Sequence, residues 1–326
     1  MQLYAPPKTA ELIPVIDISG PEREAAAAIG EACRNVGFFY VTGHGIPQAL
    51  IDAQFAAARA LFAVSEAEKQ ALHMRNSLSA SGYEPVGGQI LDSQDTDAEP
   101  APPDLKESFY CVTNLADDNP ATTAPSSAPG LNQWPSGLSA ERKQTLRYGD
   151  ALQALGDRLL ELLALSLDLR PDWFAPFYQG ASGRLRMLRY PPQRADAAFN
   201  QIGAGAHTDW GGLTLLAQDT LGGLEVRDVN GTWVAADPVP GSFVINLGDL
   251  MMRWTNGAYT SNMHRVRNNN SARDRYSIPF FYSPRSAAVI EPIPGCVTPA
   301  NPQRFATCTA GEHIDEMFRR SYRYQR

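Results

Sequence analysis

The spacing of hydrophobic residues changes in character about halfway along the chain. In the first half, apolar residues recur every three or four positions over residues 21–36, 48–73 and 139–169, which predicts three amphipathic helices. Ser65 and the acidic residues after it indicate a second, capped helix start inside the middle segment. Three short apolar runs in this half are predicted strands: residues 13–19, 38–41 and 106–112.

After Gly183 the pattern consists of short apolar runs separated by turn-forming pairs of proline, glycine and asparagine. Seven strands are predicted there: residues 184–190, 212–218, 224–226, 232–234, 243–247, 264–266 and 277–282. Many short strands with regular turns favour a sandwich or a barrel. A helical half followed by a strand-rich half predicts a β core flanked by helices, and a last helix is predicted over residues 309–324.

Two stretches, residues 76–104 and 117–133, show no periodicity and are rich in small, polar and proline residues. Long loops in compact domains often act as lids, so residues 76–104 are a lid candidate. His73, just before this loop, and His313, in the last helix, are expected on the surface.

Composition narrows the class of protein without naming a substrate. The 326 residues are 44% hydrophobic and 19% charged, which is typical of a soluble globular protein. The net charge of −7 argues against a nucleic-acid-binding surface. No apolar run is long enough to predict a membrane span. The four cysteines are scattered and the start lacks a secretory pattern, so the cytoplasm is the expected compartment.

The candidate chemistry begins at His207 and Asp209, two residues apart and just before the predicted strand 212–218. On an extended backbone such residues point to the same side. A third ligand is available at His264, on a later strand. Two imidazoles and one carboxylate form the facial triad of non-haem iron(II) oxygenases, although a His-x-Asp pair alone is also typical of a surface turn.

A second pair follows at Arg275 and Ser277, again on one face of a predicted strand. The planar guanidinium matches a carboxylate and the hydroxyl adds a donor. This is the arrangement needed to bind the distal carboxylate of a dicarboxylic oxo-acid. A salt bridge at a strand end is the alternative interpretation of the pair alone.

With these motifs the sequence resembles the isopenicillin N synthase-like iron(II)- and 2-oxoglutarate-dependent dioxygenases over nearly its whole length. The resemblance is carried by residues 13–17, 36–46, 104–109, 188–192, 207–209, 222–226, 246–249, 264–266 and 275–277. It implies a β-rich α+β fold whose core is a double-stranded β-helix, or jelly roll, with flanking helices. The implied segments of this one structural unit are an N-terminal region (1–175), the jelly-roll core (180–290) and a C-terminal extension (291–326).

The resemblance also assigns site residues. The iron ligands would be His207, Asp209 and His264. The contacts to 2-oxoglutarate would be Arg275, Ser277 and Tyr190. Many plant members carry asparagine at the position of Leu188. In this chain Leu188 and Phe281 occupy substrate-pocket positions. Tyr83, in the candidate lid, is a further pocket candidate. Asn246 and Asp249 are interpreted as turn-forming residues.

The implied activity is oxidation of a small molecule, with dioxygen and 2-oxoglutarate consumed and succinate and carbon dioxide released. Hydroxylation is the expected outcome, with desaturation or ring closure as variants, and ascorbate is a candidate reductant. Two alternatives remain open from the residues: a 2-oxoglutarate-independent iron oxidase of the same family, and a non-catalytic jelly roll that binds a metal or a ligand. Neither the primary substrate nor the oligomeric state follows from the sequence.

Overall fold

The computed structural model describes residues 13–77, 80–91, 102–113, 132–181, 183–193, 201–228, 230–269 and 271–321. The helices are α1 (Glu22–Asn35), α2 (Gln48–Phe62), α3 (Glu66–Ala71), α4 (Ser139–Leu165), α5 (Ala175–Tyr178), α6 (Asp249–Trp254) and α7 (Ala310–Ser321). The first strands are β1 (Val15–Asp17), β2 (Phe38–Thr42), β3 (Gly82–Glu84), β4 (Glu107–Val112), β5 (Arg184–Tyr190), β6 (Ala204–His207) and β7 (Leu213–Gln218). The later strands are β8 (Leu224–Arg227), β9 (Trp233–Ala235), β10 (Phe243–Leu247), β11 (His264–Val266), β12 (Arg275–Tyr282), β13 (Val289–Ile290) and β14 (Cys308–Thr309).

The strands form a major and a minor sheet. The major sheet has the order β1-β2-β10-β7-β12-β5-β4-β3, and the minor sheet has the order β6-β11-β8-β9. Apart from the parallel pair β1–β2, the neighbours within both sheets are antiparallel. The predicted double-stranded β-helix with flanking helices is confirmed. Strands β1 to β4 lie in the same sheet as strands from β5 to β12, so the sheet does not mark a boundary between the N-terminal region and the core. The segment boundaries at 175, 180 and 290 therefore remain predictions.

The two faces of the major sheet carry different apolar clusters, because successive residues of a strand point to opposite sides. Tyr276 and Ile278 of β12 belong to a large cluster that includes α1, α2 and α4. A smaller cluster, containing Leu188, Tyr190 and Val266, lies between the two sheets. We call the space between the sheets the interior.

The register of β5 and β12 identifies which residues of β12 face the interior. Arg275 pairs with Tyr190, and Ser277 pairs with Leu188. Directly opposite residues of an antiparallel pair point to the same side. Arg275 and Ser277 therefore face the interior, and by alternation Phe281 does too.

The segment predicted as one helix over residues 48–73 is interrupted. Helix α2 ends at Phe62, and α3 starts after Ser65, whose hydroxyl accepts a hydrogen bond from the Glu68 N–H at 3.3 Å. The second helix start is confirmed and the single long helix is wrong.

The expectation of a surface position for His73 is also wrong, because the side chain is buried. Strand β3, which was expected to be part of a loop, lies against this stretch: the Tyr83 N–H donates to the Leu72 carbonyl at 2.8 Å. Residues 92–101 of the candidate lid lie outside the described residues, so the lid stays a prediction. In the part of the chain that the structure describes, no helix is long and apolar enough to cross a membrane.

The turn between α1 and β2 packs closely against the backbone at Thr260. Gly37 has a φ of +71°, and a Cβ there would lie 2.2 Å from the Thr260 carbonyl oxygen, whereas Gly45 has a φ of +76° and open space around it. We expect Gly45→Ala to lower the free energy of unfolding by about 1–2 kcal/mol through its left-handed backbone alone. Gly37→Ala should lower it further, because the new methyl group also collides with backbone. Equal losses in urea unfolding would contradict the packing described.

Candidate active site

His207, Asp209 and His264 lie together at the edge of the minor sheet. One ligand atom from each residue lies within 4.8 Å of the others. The two histidines are direct partners across β6 and β11, with ring centroids 4.2 Å apart. Asp209 follows β6 by two residues, and its Oδ1 is 3.8 Å from His264 Nε2. The sequence-predicted triad is therefore brought together by the fold.

Hydrogen bonds orient these side chains. Asp209 Oδ2 accepts from Thr214 Oγ1 at 2.6 Å and from Asn246 Nδ2 at 2.7 Å, which leaves Oδ1 toward the histidines. His207 Nδ1 lies 2.8 Å from the Gly205 carbonyl oxygen. Since a carbonyl only accepts, Nδ1 carries the proton and Nε2 is the nitrogen that offers a lone pair to a metal.

The local electrostatics favour the protonation state that a metal needs. Burial, together with nearby His264, lowers the pKa of His207 to about 3, so the imidazole is neutral at physiological pH. Burial alone would raise the pKa of Asp209, but His264, His207 and the hydrogen bonds from Asn246 and Thr214 lower it. The neutral imidazole of His207 and the ionised carboxylate of Asp209 are ready to bind a divalent ion. This donor set fits iron(II).

Arg275 supplies a cationic anchor in the interior. Its Nε donates to the Gly222 carbonyl, its Nη2 donates to Gln218 Oε1 at 3.1 Å, and its guanidinium lies 4.7 Å from the Tyr190 ring centre. The remaining nitrogen, Nη1, is buried without a hydrogen-bond partner. A buried unpaired donor on a cation is expensive, and a carboxylate would satisfy it. Arg275, with Ser277 on the same face, therefore fits the distal carboxylate of 2-oxoglutarate.

The three candidate pocket residues do not share a location. Leu188 and Phe281 are on the interior face of the major sheet. Tyr83 is paired with Phe109 on the face that packs against the helices, and its hydroxyl donates to Glu107 at 2.7 Å. The assignment of Tyr83 to the substrate pocket is wrong, because the register of β3 places its ring on the other side of the sheet.

Asn246 and Asp249 are more than turn-forming residues. Asn246 lies inside β10 and holds Asp209, while Asp249, at the start of α6, accepts from Ser261 at 2.8 Å and from Thr208 at 3.3 Å. A signal for Asn246 was present in the sequence, since it is the one polar residue of an otherwise apolar strand.

The last helix reaches the same network. His313 was expected on the surface, but its side chain is only 14% exposed, and its Nε2 lies 3.6 Å from an Asp249 oxygen. The surface expectation is therefore wrong, because α7 packs this face of the histidine against the start of α6.

A buried ion pair supports the strand that carries His207. Asp104 and Lys106 are each 3% exposed and bind each other. Asp104 Oδ1 also accepts from the Gly205 N–H at 2.9 Å, and the Gly205 carbonyl accepts from His207. Both residues fall in the motif 104–109, but nothing in the local spacing gave them this role.

We expect Asp104→Asn to weaken iron(II) binding by about tenfold, the lower range for loss of an outer-shell partner. The substitution unpairs Lys106 and loosens the support of β6. Glu107→Gln is the matched control, because Glu107 is equally buried and ion-paired but faces the helices. Anaerobic chelator competition measures the affinity, and an equal effect of both variants would argue for a general loss of stability instead.

The pKa of His207 also predicts a pH dependence of the metal-free protein. In the unfolded chain this histidine titrates near 6.5, whereas its folded pKa is about 3. The neutral imidazole therefore contributes its full stability above pH 6.5, and that contribution falls by up to about 1.4 kcal/mol per pH unit toward pH 3. Urea unfolding across this range should show a steeper decline for the wild type than for His207→Asn, and parallel curves would contradict the prediction.

Comparison with known proteins agrees with this site. Residues 13–137 match the family described as non-haem dioxygenase in morphine synthesis N-terminal, and residues 182–284 match the 2OG-Fe(II) oxygenase superfamily. The 2-oxoglutarate-Fe(II) type oxidoreductase hxnY of Emericella nidulans is 36% identical over 322 residues, covering 95% of this chain and 90% of hxnY. Homoarginine-6-hydroxylase 2-ODD-C23 of Glycine max is 32% identical, covering 93% and 95% of the two chains.

A solved structure shares the fold of this chain. A full-length protein from Neurospora crassa, crystallised in complex with alpha-KG and thymine, superposes with a TM-score of 0.81 at 26% identity, covering 94% of this chain and 96% of that protein. The matched families and the homologous sequences cover both the helical half and the strand-rich half of the chain. The chain therefore belongs to the 2OG-Fe(II) oxygenase family and is an iron(II)- and 2-oxoglutarate-dependent dioxygenase.

Proposed function

We propose that this dioxygenase hydroxylates a small molecule bound in the interior, with His207, Asp209 and His264 as its iron ligands. The observation that carries the proposal is the buried, unpartnered Nη1 of Arg275. It faces the same interior as His264, because Arg275 is opposite Tyr190 and the His264 ring lies 5.4 Å from Phe38, and both of these aromatic residues belong to the interior cluster. The triad would hold the metal, and the open nitrogen of Arg275 would bind the dicarboxylate that accompanies it. When bound, iron(II) with 2-oxoglutarate and dioxygen supplies the oxidising power, and 2-oxoglutarate leaves as succinate and carbon dioxide.

The protein's own groups position and enclose the reactants. Arg275 and Ser277 would hold the distal carboxylate, and the Tyr190 ring packs against the guanidinium to fix its orientation. Leu188 and Phe281 add apolar surface to the same face of the sheet. Such surface excludes water from the reacting centre, which protects a strong oxidant from side reactions.

The fate of the oxygen atoms tests this function. With labelled dioxygen, hydroxylation should place one labelled atom in succinate and the other in the oxidised small molecule, as measured by mass spectrometry. A product that loses two hydrogens and carries no label would instead indicate desaturation or ring closure. Labelled succinate formed while none of the added small molecules is oxidised would contradict the proposal that the enzyme hydroxylates one of them.

The free cysteines favour a reducing compartment. Cys33, Cys111, Cys296 and Cys308 are all free thiols. Free thiols and a ferrous ion both suit a reducing environment. We infer that the enzyme works in the cytoplasm, and measuring its distribution between cell fractions tests this.

A further inference from the structure

The C-terminal helix α7 lies against the part of the chain that carries Asp209. His313, in the first turn of α7, has its Nε2 3.6 Å from Asp249 Oδ2. Farther along the helix, the centre of the Phe318 ring lies 6.4 Å from that of Trp210, the residue that follows Asp209. Two side chains of α7 therefore reach the surroundings of the metal centre.

Asp249 connects the two chain segments that supply the iron ligands. Its Oδ2 accepts from Oγ1 of Thr208, which lies between the two ligands of the first segment, at 3.3 Å. Its Oδ1 accepts at 2.8 Å from Oγ of Ser261, which lies in the segment leading into His264. The Asp249 N–H also donates to the Asp209 carbonyl at 2.8 Å. A displacement of Asp249 would therefore disturb both segments.

His313 is the basic partner of this carboxylate. The side chains are 14% exposed for His313 and 10% exposed for Asp249, and burying a carboxylate is unfavourable unless polar or positive groups face it. Among the described residues, no lysine or arginine forms an ion pair with Asp249. His313 Nε2 carries a hydrogen toward Asp249, because two facing lone pairs would repel. At 3.6 Å the contact is an electrostatic attraction rather than a hydrogen bond, and its low exposure limits screening by salt.

The first turn of α7 is fixed independently of this contact. The Glu312 N–H donates to Thr309 Oγ1 at 3.2 Å, and the Thr309 N–H donates to Glu312 Oε2 at 2.8 Å, which forms a reciprocal cap. The next two N–H groups after Thr309 donate to the carbonyls of Ala288 and Ser286, both at 2.9 Å. The backbone at His313 is therefore anchored without Asp249, and replacing the imidazole should leave the helix in place.

We propose that His313 is a positioning residue for the metal centre, which acts through Asp249. By attracting the Asp249 carboxylate, it keeps Thr208 and Ser261 in place, and these two residues hold the segments that supply the iron ligands. The inference rests on the proposed function, because it assumes the three iron ligands given there. It gives the C-terminal helix a part in iron binding beyond its packing on the core.

Iron(II) affinity, measured anaerobically by competition with a chelator, tests the inference. His313→Leu keeps a side chain of similar bulk but removes the N–H that faces Asp249. We expect it to bind iron(II) about tenfold more weakly than the wild type, the lower range for loss of a residue that supports a metal ligand. In His313→Gln the amide N–H₂ takes the place of the imidazole N–H, so this variant should recover most of the lost affinity.

Ile314→Ala is the matched control for a loss of packing by α7. Ile314 follows His313 and packs against the large apolar cluster on the helix side of the major sheet. Its truncation should lower the urea midpoint and leave the iron affinity unchanged. An equal loss of affinity in Ile314→Ala and His313→Leu, or a His313→Gln variant as weak as His313→Leu, would overturn the inference in favour of a structural role.

A double-mutant cycle tests whether His313 acts through Asp249. Residues that act through one contact are non-additive, so His313→Leu should cause little further loss of iron affinity in an Asp249→Asn background. Losses that multiply in the double variant would overturn the inference.

His264→Ala, measured alongside, distinguishes this inference from the proposed function. Wild-type iron affinity in His264→Ala would mean that the proposed iron site itself is wrong. A large loss in His264→Ala with no loss in His313→Leu would overturn the role of His313 alone.

Discussion

His264→Ala is expected to bind iron(II) more than about a hundredfold more weakly than the wild type. This loss exceeds the range of about 10- to 100-fold that follows removal of a residue that supports a metal ligand without binding the metal itself. The substitution removes one of three ligand side chains whose donor atoms lie within 4.8 Å of one another. It leaves Asp209 and His207 with too few donors to hold the ion. Oxidation of any substrate should cease with it. Anaerobic competition with a chelator measures the affinity directly.

His44→Ala is the matched control for the loss of a histidine. His44 lies in the turn after β2, where Nε2 is 3.1 Å from the Gly241 carbonyl oxygen and Nδ1 accepts from the Ile46 N–H at 3.1 Å. Its removal should leave the iron affinity unchanged. Tight iron binding by His264→Ala, or an equal loss in the control, would show that the metal is held elsewhere.

Arg275→Met should weaken 2-oxoglutarate binding by about a hundredfold or more while leaving iron binding intact. Methionine keeps much of the length of the side chain but removes the buried Nη1 that has no partner in the protein. A carboxylate held by a buried guanidinium loses several kcal/mol when the guanidinium is removed, about 2–5 in comparable interfaces. Titration of the anaerobic iron(II) protein with 2-oxoglutarate gives the dissociation constant.

Arg189→Met serves as the control for Arg275→Met. Arg189 lies next to Tyr190 on β5 but on the other face, where it binds Glu107 and Asp274. Its loss should lower stability without changing the affinity for 2-oxoglutarate. If Arg275→Met retained normal affinity, the open guanidinium nitrogen would have to serve another ligand.

Local spacing was sufficient to predict the parts of the site that depend on two-residue alternation. Arg275 and Ser277 share a face of β12 for that reason. His207 and Asp209 also meet as the spacing predicted, although Asp209 lies just beyond the end of β6. The jelly-roll core followed from the resemblance and from the many short strands. Strand β6 escaped the pattern, because its residues 204–207 are alanine, glycine, alanine and histidine and carry little hydrophobic signal.

Features that depend on pairing between distant strands could not be predicted in this way. The contact of Asn246 with Asp209 requires β10 to lie beside β7, and nothing local specifies that order. Tyr83 and Glu84 are neighbours in sequence, yet the register of β3 sends the first toward the helices and the second into the interior. A one-residue difference in register would exchange them.

The most direct test of the account is the anaerobic difference absorption of the iron(II) protein on addition of 2-oxoglutarate. We predict a visible metal-to-ligand charge-transfer band in the wild type, absent from His207→Ala for lack of the metal and from Arg275→Met at moderate 2-oxoglutarate concentration. The band should return in Arg275→Met when 2-oxoglutarate is raised, because the metal ligands are intact. Bound iron in the wild type with no band at saturating 2-oxoglutarate would contradict the assignment of these residues as the site where the two meet.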